Sequence, residues 1–315
     1  MADKIATRHA YGEALAELGD KNSRIVVLDA DVSTCTMSCI FGEKHPDRFY
    51  NVGIAEANMV GIAAGMSTAG LIPFVHTFAM FMAGRSYDQI RNSVAYPKLN
   101  VKVVGTHAGL SVGEDGATHQ CIEDLSLMRT IPGMTVLCPC DGNETVKAVF
   151  AMAEYKGPVY LRLGRLALEN VTDTIPGYNF QIGKGALLRE GKDVSIIATG
   201  LMVQESLKAA ALLEKEGVSV RVIDMHTIKP LDREIIIKAA KETGAIVTAE
   251  EHNVIGGLGA AVCEAVSEEQ PVPVIRLGVN DEFGRSGDAG ALLRHYGLSP
   301  ENIVEKAKLA ISKKR

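Results

Sequence analysis

Short, nearly continuous apolar runs alternate along the chain with longer stretches whose apolar positions recur at helical spacing. RIVVLDAD (24–31), RFYNVGI (48–54), LIPFVHT (71–77), VKVVGTH (101–107), TVLCPC (135–140) and PVYLRLG (158–164) read as buried strands. Helices are predicted to begin near Glu56, Ala83, Ile122 and Asn143. Residues 166–183, LALENVTDTIPGYNFQIG, lose this rhythm and gather polar and turn residues, which reads as a linker. A second set follows, with strands DVSIIATG (193–200), VSVRVIDMH (218–226), AIVTAEE (245–251) and PVIRLG (273–278). ESLKAAALLEKEG, DREIIIKAAKETG and GLGAAVCEAVSEE supply the intervening helices. The pattern predicts an α/β chain with two successive open, mainly parallel sheets flanked by helices, in domains 1–165 and 184–315.

Composition agrees with that reading. A chain of 315 residues that is 47% hydrophobic, with 31 glycines, supports large buried cores. The net charge of −5 offers no electrostatic footprint for nucleic acid or an acidic membrane. MADKIATRHAYGEAL lacks the apolar core of a signal peptide, and no apolar run approaches a membrane span of roughly 18 residues. The six cysteines therefore read as reduced thiols in a cytoplasmic protein. Cys138-Pro139-Cys140 is too closely spaced for a zinc knuckle or a thioredoxin-type motif, so no metal ligands are expected.

Ligands of open α/β sheets bind beyond the carboxyl ends of the strands. Asp29 and Asp31, Glu56, His107 and Arg165 all fall there, and the turn GEDGATHQ (113–120) adds Glu114, Asp115 and His119. Glu56 is the only ionisable residue in NVGIAEANMVGIAAGM (51–66), and burying a lone carboxylate is costly. A helix N-terminus, whose dipole favours an acid, would account for it. However, the helix that follows is apolar all round, which predicts burial. His107 and His119 suit ordinary satisfied histidines singly; two around one acidic glycine-rich turn suit a site better. Gly257-Leu-Gly259 fails as a dinucleotide fingerprint because Val262 stands where a third small residue is needed. Close packing or a turn is the expected role.

These segments, with DMHTIKPLD (224–232) and AEEHNVIGGLG (249–259), resemble the C-terminal half of transketolases over essentially the whole chain. The resemblance implies a pyrimidine-binding domain followed by the family's C-terminal domain. It implies thiamine diphosphate as cofactor, with Mg2+, and sugar phosphates as substrates. In the family a glutamate bonds the aminopyrimidine ring nitrogen so that the cofactor can shed its thiazolium proton. Glu56 matches that residue.

Phe78 and Phe81, in HTFAMF, match aromatics flanking the pyrimidine, and Ile54 is expected to contact the cofactor. Gly84 stands where many relatives place a third aromatic. His107 and His119 match catalytic histidines that also touch substrate, and Asp115 matches a reader of a sugar hydroxyl. Arg8 and Arg165 match arginines that hold phosphate. A phosphate-contacting serine falls at Cys35, with Ser33 or Thr34 as substitutes.

The family's diphosphate motif, GDG followed by an Asn-rich segment, has no counterpart here. The expected partner is therefore an N-terminal transketolase subunit that carries that motif and the metal, in an assembly of two copies of each chain. The β subunit of a 2-oxoacid dehydrogenase decarboxylase, a deoxyxylulose phosphate synthase and an inactive scaffolding relative are the alternatives. The GEDGATHQ turn with His107 and the two arginines favours transketolase, and the full set around Glu56 disfavours an inactive chain.

Overall fold

The computed structural model describes residues 4–175 and 177–314. Its first sheet runs Thr227–Lys229, Thr135–Leu137, Val159–Arg162, Lys102–Thr106, Ile72–Phe78, Ile25–Asp29, Phe49–Asn51. Every neighbouring pair is parallel except the first. The second sheet runs Val274–Val279, Ile246–Asn253, Val194–Ala198, Val220–Asp224, Ala186–Arg189, with only the last strand antiparallel. A two-residue ladder, Ile5–Ala6 with Ala167–Leu168, ties the N-terminus to the linker region. Among the described residues no helix is long and apolar enough to cross a membrane.

Helices cover both faces of each sheet, as parallel strands joined by crossovers require. Thr7–Lys21 and Gly142–Glu154 bury Tyr11, Leu15, Val149 and Met152 on one face of the first sheet. Glu56–Thr68 and the stretch that follows Phe78 bury Met59, Val60, Met82 and Val94 on the other. That second core continues without a break through Met128 and Ile131 to Ile236 and Val262 beneath the second sheet.

Four local expectations change. Phe49–Asn51 is a short edge strand whose Tyr50 and Asn51 are exposed, so only part of the apolar run is buried. The helix expected near Ala83 consists of two π-helical turns, Phe81–Arg85 and Ile90–Ala95, flanking Tyr87–Gln89. Helix Glu56–Thr68 buries only one side: Gly61 and Gly65 are exposed and Ile62 is 37% exposed. Thr227–Lys229, which the sequence division assigns to the second domain, extends the first sheet.

Polar contacts also lock the two sheets together. Arg162 Nε donates to both Asp124 carboxylate oxygens, at 3.1 and 2.9 Å, while its Nη2 donates to the Glu251 carbonyl at 2.8 Å. The Glu251 side chain accepts from the Ser111 amide at 2.6 Å. Glu250 accepts from the amides of Leu258 and Gly259, each at 2.7 Å, and so caps helix Leu258–Glu269. A Cβ at Gly257 would lie 2.1 Å from that carboxylate, which explains the glycine as close packing.

Candidate active site

The carboxyl ends of the first sheet's strands deliver a continuous row of side chains. Glu56 opens its helix and is 5% exposed. Its Oε1 accepts from Arg85 Nη1 at 2.7 Å, and the Arg85 guanidinium lies 4.0 Å from the Phe81 ring centre. Phe81 stacks on Phe78, with centroids 5.7 Å apart and planes at 22°. Phe78 in turn meets the His107 ring at 4.2 Å. His107 Nε2 lies 3.4 Å from Arg8 Nη1, which completes a row running from a buried carboxylate to a guanidinium. His119 stands edge-on to Phe81 at 5.2 Å, alongside the row.

Local structure explains how each group arrives. Phe78 ends strand Ile72–Phe78, and the π-helical turn Phe81–Arg85 bulges the following backbone so that Phe81 and Arg85 face the same side. Such turns are frequent at functional sites. His107 follows strand Lys102–Thr106 with a φ of 55°, a left-handed conformation that costs a non-glycine residue energy and re-aims its side chain. Arg8 comes from the first turn of helix Thr7–Lys21, and Arg165 follows strand Val159–Arg162.

Electrostatics divides the row into two ends. His107 is pushed down to about 3, first by burial and then by the positive charges of Arg8 and Arg165 and by His119. Arginine only donates, so Nε2 of His107 is the acceptor and the proton of the neutral ring sits on Nδ1, 3.0 Å from the Thr106 hydroxyl. Arg8 also donates to the Cys35 carbonyl at 2.7 Å, and its Nε is buried without a partner. A buried N–H beside a second guanidinium fits an anion. Arg165 is itself engaged by the Val112 carbonyl and by Glu114, 3.3 Å away.

His107 therefore links acid to stability. Its folded value lies below its ordinary 6.5, so the stabilisation is complete above 6.5 and is lost as the pH falls towards 3. His107→Asn should reduce the slope of unfolding free energy against pH in that window by up to ~1.4 kcal/mol per pH unit. Denaturant titrations of both proteins across the window check this; parallel curves would show that His107 titrates normally.

The expected site residues do not all join the row. Glu56, Phe78, Phe81, His107, His119 and Arg8 do. Arg165 sits at its cationic end with Glu114 on it. Asp115 is exposed in its turn and makes no hydrogen bond or ion pair among the described residues. Ile54 is 75% exposed in the turn before Glu56. Cys35 contributes its carbonyl and not its thiol. Gly84 is exposed, and a Cβ there would meet only the tip of Met80. Arg85 is the member that sequence reasoning missed, although a lone base closing the aromatic run FAMFMAGR was the available signal.

Residues 3–170 match the transketolase pyrimidine-binding domain, and residues 183–303 match the transketolase C-terminal domain. The chain belongs to the transketolase family. A Methanocaldococcus jannaschii protein named for a transketolase C-terminal section is 49% identical over 300 residues, covering 95% of this chain and 94% of that protein. Human transketolase is 43% identical over 317 residues, and there the match takes in 99% of this chain but 50% of the relative. A structure described as a split gene transketolase, inactive beta4 tetramer, superposes with a TM-score of 0.90 at 51% identity, covering 99% of this chain and 100% of that one. The transketolase pyrimidine-binding match thus contains the whole row from Glu56 to Arg8, together with Arg165.

Proposed function

We propose that this chain is the C-terminal subunit of a thiamine diphosphate-dependent transketolase that moves a two-carbon ketol unit from a ketose phosphate to an aldose phosphate. The observation that carries the reading is the row itself, which sets a buried carboxylate and an aromatic pair at one end and a buried unpartnered guanidinium N–H at the other. The residues fit the pyrimidine end of the cofactor: Glu56 offers a carboxylate oxygen to a ring nitrogen, and Phe78 with Phe81 offers a flat apolar slab. When bound, thiamine diphosphate supplies the electron sink for breaking and re-forming a carbon–carbon bond beside a carbonyl.

This chain's own groups do the rest. Glu56 would hold the cofactor through its pyrimidine ring nitrogen and could exchange a proton there. His107, neutral and fixed by Thr106 and Arg8, would orient the sugar hydroxyls, and His119, edge-on to Phe81, would contact the reacting centre. Asp115 reads a further hydroxyl. Arg8 and Arg165 bind the substrate phosphate. The diphosphate and Mg2+ are assigned to a separate N-terminal subunit, in an assembly of two copies of each chain, and domains 1–165 and 184–315 are the units this chain contributes. The inactive beta4 tetramer of a relative made of the corresponding chain alone supports the need for that partner. All six cysteines are free thiols, which supports a cytoplasmic location.

Calorimetry with thiamine diphosphate and Mg2+ tests the division of labour. The chain alone should not bind, and mixing it with an N-terminal subunit should give both binding and ketol transfer. Tight Mg2+-dependent binding by the isolated chain would overturn the partner assignment. The phosphate end is tested separately. Arg8→Ala should raise KM for phosphorylated donors by roughly 10–100-fold, the effect of losing a charged hydrogen bond, and leave hydroxypyruvate nearly unaffected. Arg165→Ala should have the smaller effect, because Glu114 already occupies it. Equal losses on both donor types would make the arginines structural.

A further inference from the structure

Where the two sheets meet the linker, three side chains from separate elements converge in the interior. Cys140 lies just beyond strand Thr135–Leu137, Glu144 is in the first turn of helix Gly142–Glu154, and Asp224 ends strand Val220–Asp224. All three are fully buried, and their sulfur and carboxylate oxygens lie within 4.8 Å of one another. Among the described residues, neither oxygen of Asp224 has a hydrogen-bond partner outside the cluster itself. Glu144 is held in place by the Cys140 amide, at 2.7 Å, and by the Tyr178 hydroxyl from the linker. The neighbouring Asp141 is committed to capping, accepting from the amides of Glu144 and Thr172 at 2.8 Å each. Among the described residues, no arginine, lysine or histidine forms an ion pair with Asp141, Glu144 or Asp224.

A buried carboxylate with no counter-charge costs several kcal/mol, so the cluster must hold either shared protons or a cation. We propose that Cys140, Glu144 and Asp224 bind a zinc-class divalent cation that pins the two sheets together at the linker. Mixed sulfur and oxygen donors select a borderline-soft ion over Mg2+ or Ca2+, which take oxygen alone. The unpartnered pair of Asp224 oxygens supplies the open acceptor, and the first-turn position of Glu144 fixes the second ligand. On binding, the thiol and any protonated carboxyl release their protons to solvent, so no other reactant is required. The site is enclosed, so the ion enters as the chain folds. Cys138 lies outside the set, which is why the short Cys138–Cys140 spacing gives no hint of it. Nothing in this proposal depends on the transketolase chemistry.

Metal analysis of the full chain, purified without chelator, tests it. About one zinc per chain is expected, retained through dialysis and lost in Cys140→Ser and in Asp224→Asn. Refolding the chain with Co2+ should give a thiolate-to-cobalt charge-transfer band that Cys140→Ser abolishes. The band is read on the parent protein, so the test does not depend on either variant folding. A chain that folds and melts identically with and without zinc and shows no cobalt–thiolate band overturns the proposal. So does zinc that persists in Cys140→Ser, which would mark adventitious surface binding. An Asp224→Asn variant as stable as the parent and equally metal-free would show that shared protons neutralise the cluster.

Discussion

Replacing Glu56 with glutamine is expected to leave the chain folded and to remove nearly all ketol transfer from the assembled enzyme. The two outcomes separate because of where the carboxylate sits. It is almost fully buried, but its one ion pair among the described residues is to Arg85, whose side chain is 52% exposed. An ion pair that opens to water contributes about 1 kcal/mol or less, so its loss is tolerable. Glutamine keeps the volume and can still accept a hydrogen bond from Arg85. It cannot take up or release a proton, and general acid–base groups contribute roughly 10²–10⁴-fold to rate. The expected result is a fall of at least that size in kcat, with an unchanged melting temperature and unchanged association with the partner subunit. A glutamine variant with near-normal turnover would remove Glu56 from the chemistry and leave it as a helix-terminal acid.

Arg85 adds a second expectation at the same site. Its guanidinium holds Glu56 Oε1 and covers the Phe81 ring, so a pyrimidine bound as proposed would have to share or displace it. Arg85→Ala should therefore tighten cofactor binding by the assembly by a few-fold, in keeping with an exposed ion pair worth about 1 kcal/mol or less. Titration calorimetry reads this directly; weaker binding would instead make Arg85 a positioning residue for the cofactor.

The strands that carry the site were legible because each is buried on both faces, and burial leaves a nearly unbroken apolar run. Lys102–Thr106 and Val159–Arg162 show this best. The antiparallel strands Ala186–Arg189 and Thr227–Lys229 were not legible. They are short edge strands whose pairing is decided by a neighbour far away in sequence, and three or four residues carry too little pattern to register. Glu56 stood out because charge is conspicuous in an apolar segment. His107 and His119 stood out because they flank one acidic turn. Arg85 closes the run FAMFMAGR, but its pairing with Glu56 depends on a π-helical bulge that residue spacing does not announce. The same holds for Cys140, Glu144 and Asp224, brought together across two sheets, and for Asp115 and Ile54, whose exposure depends on how two turns fold.

The largest stability effect should come from Asp124→Asn, at a position the sequence gives no reason to notice. Asp124 is fully buried and receives Arg162 Nε on both oxygens, along with the Tyr160 hydroxyl at 2.8 Å. Arg162 is itself buried and reaches the Glu251 carbonyl in the second sheet. The substitution leaves a buried guanidinium without its directly paired carboxylate, and breaking a buried pair in this way costs about 3–5 kcal/mol. Arg162→Met together with Asp124→Asn removes the stranded charge and should recover a substantial part of that loss, although the Glu251 carbonyl loses a donor. Denaturant unfolding of the single and double variants measures the coupling. If the double variant is as unstable as the sum of the singles, the pair acts through packing alone. If it recovers, the cost of the single variant is that of the stranded guanidinium, and the contact from Arg162 to the Glu251 carbonyl between the sheets is dispensable once that charge is gone.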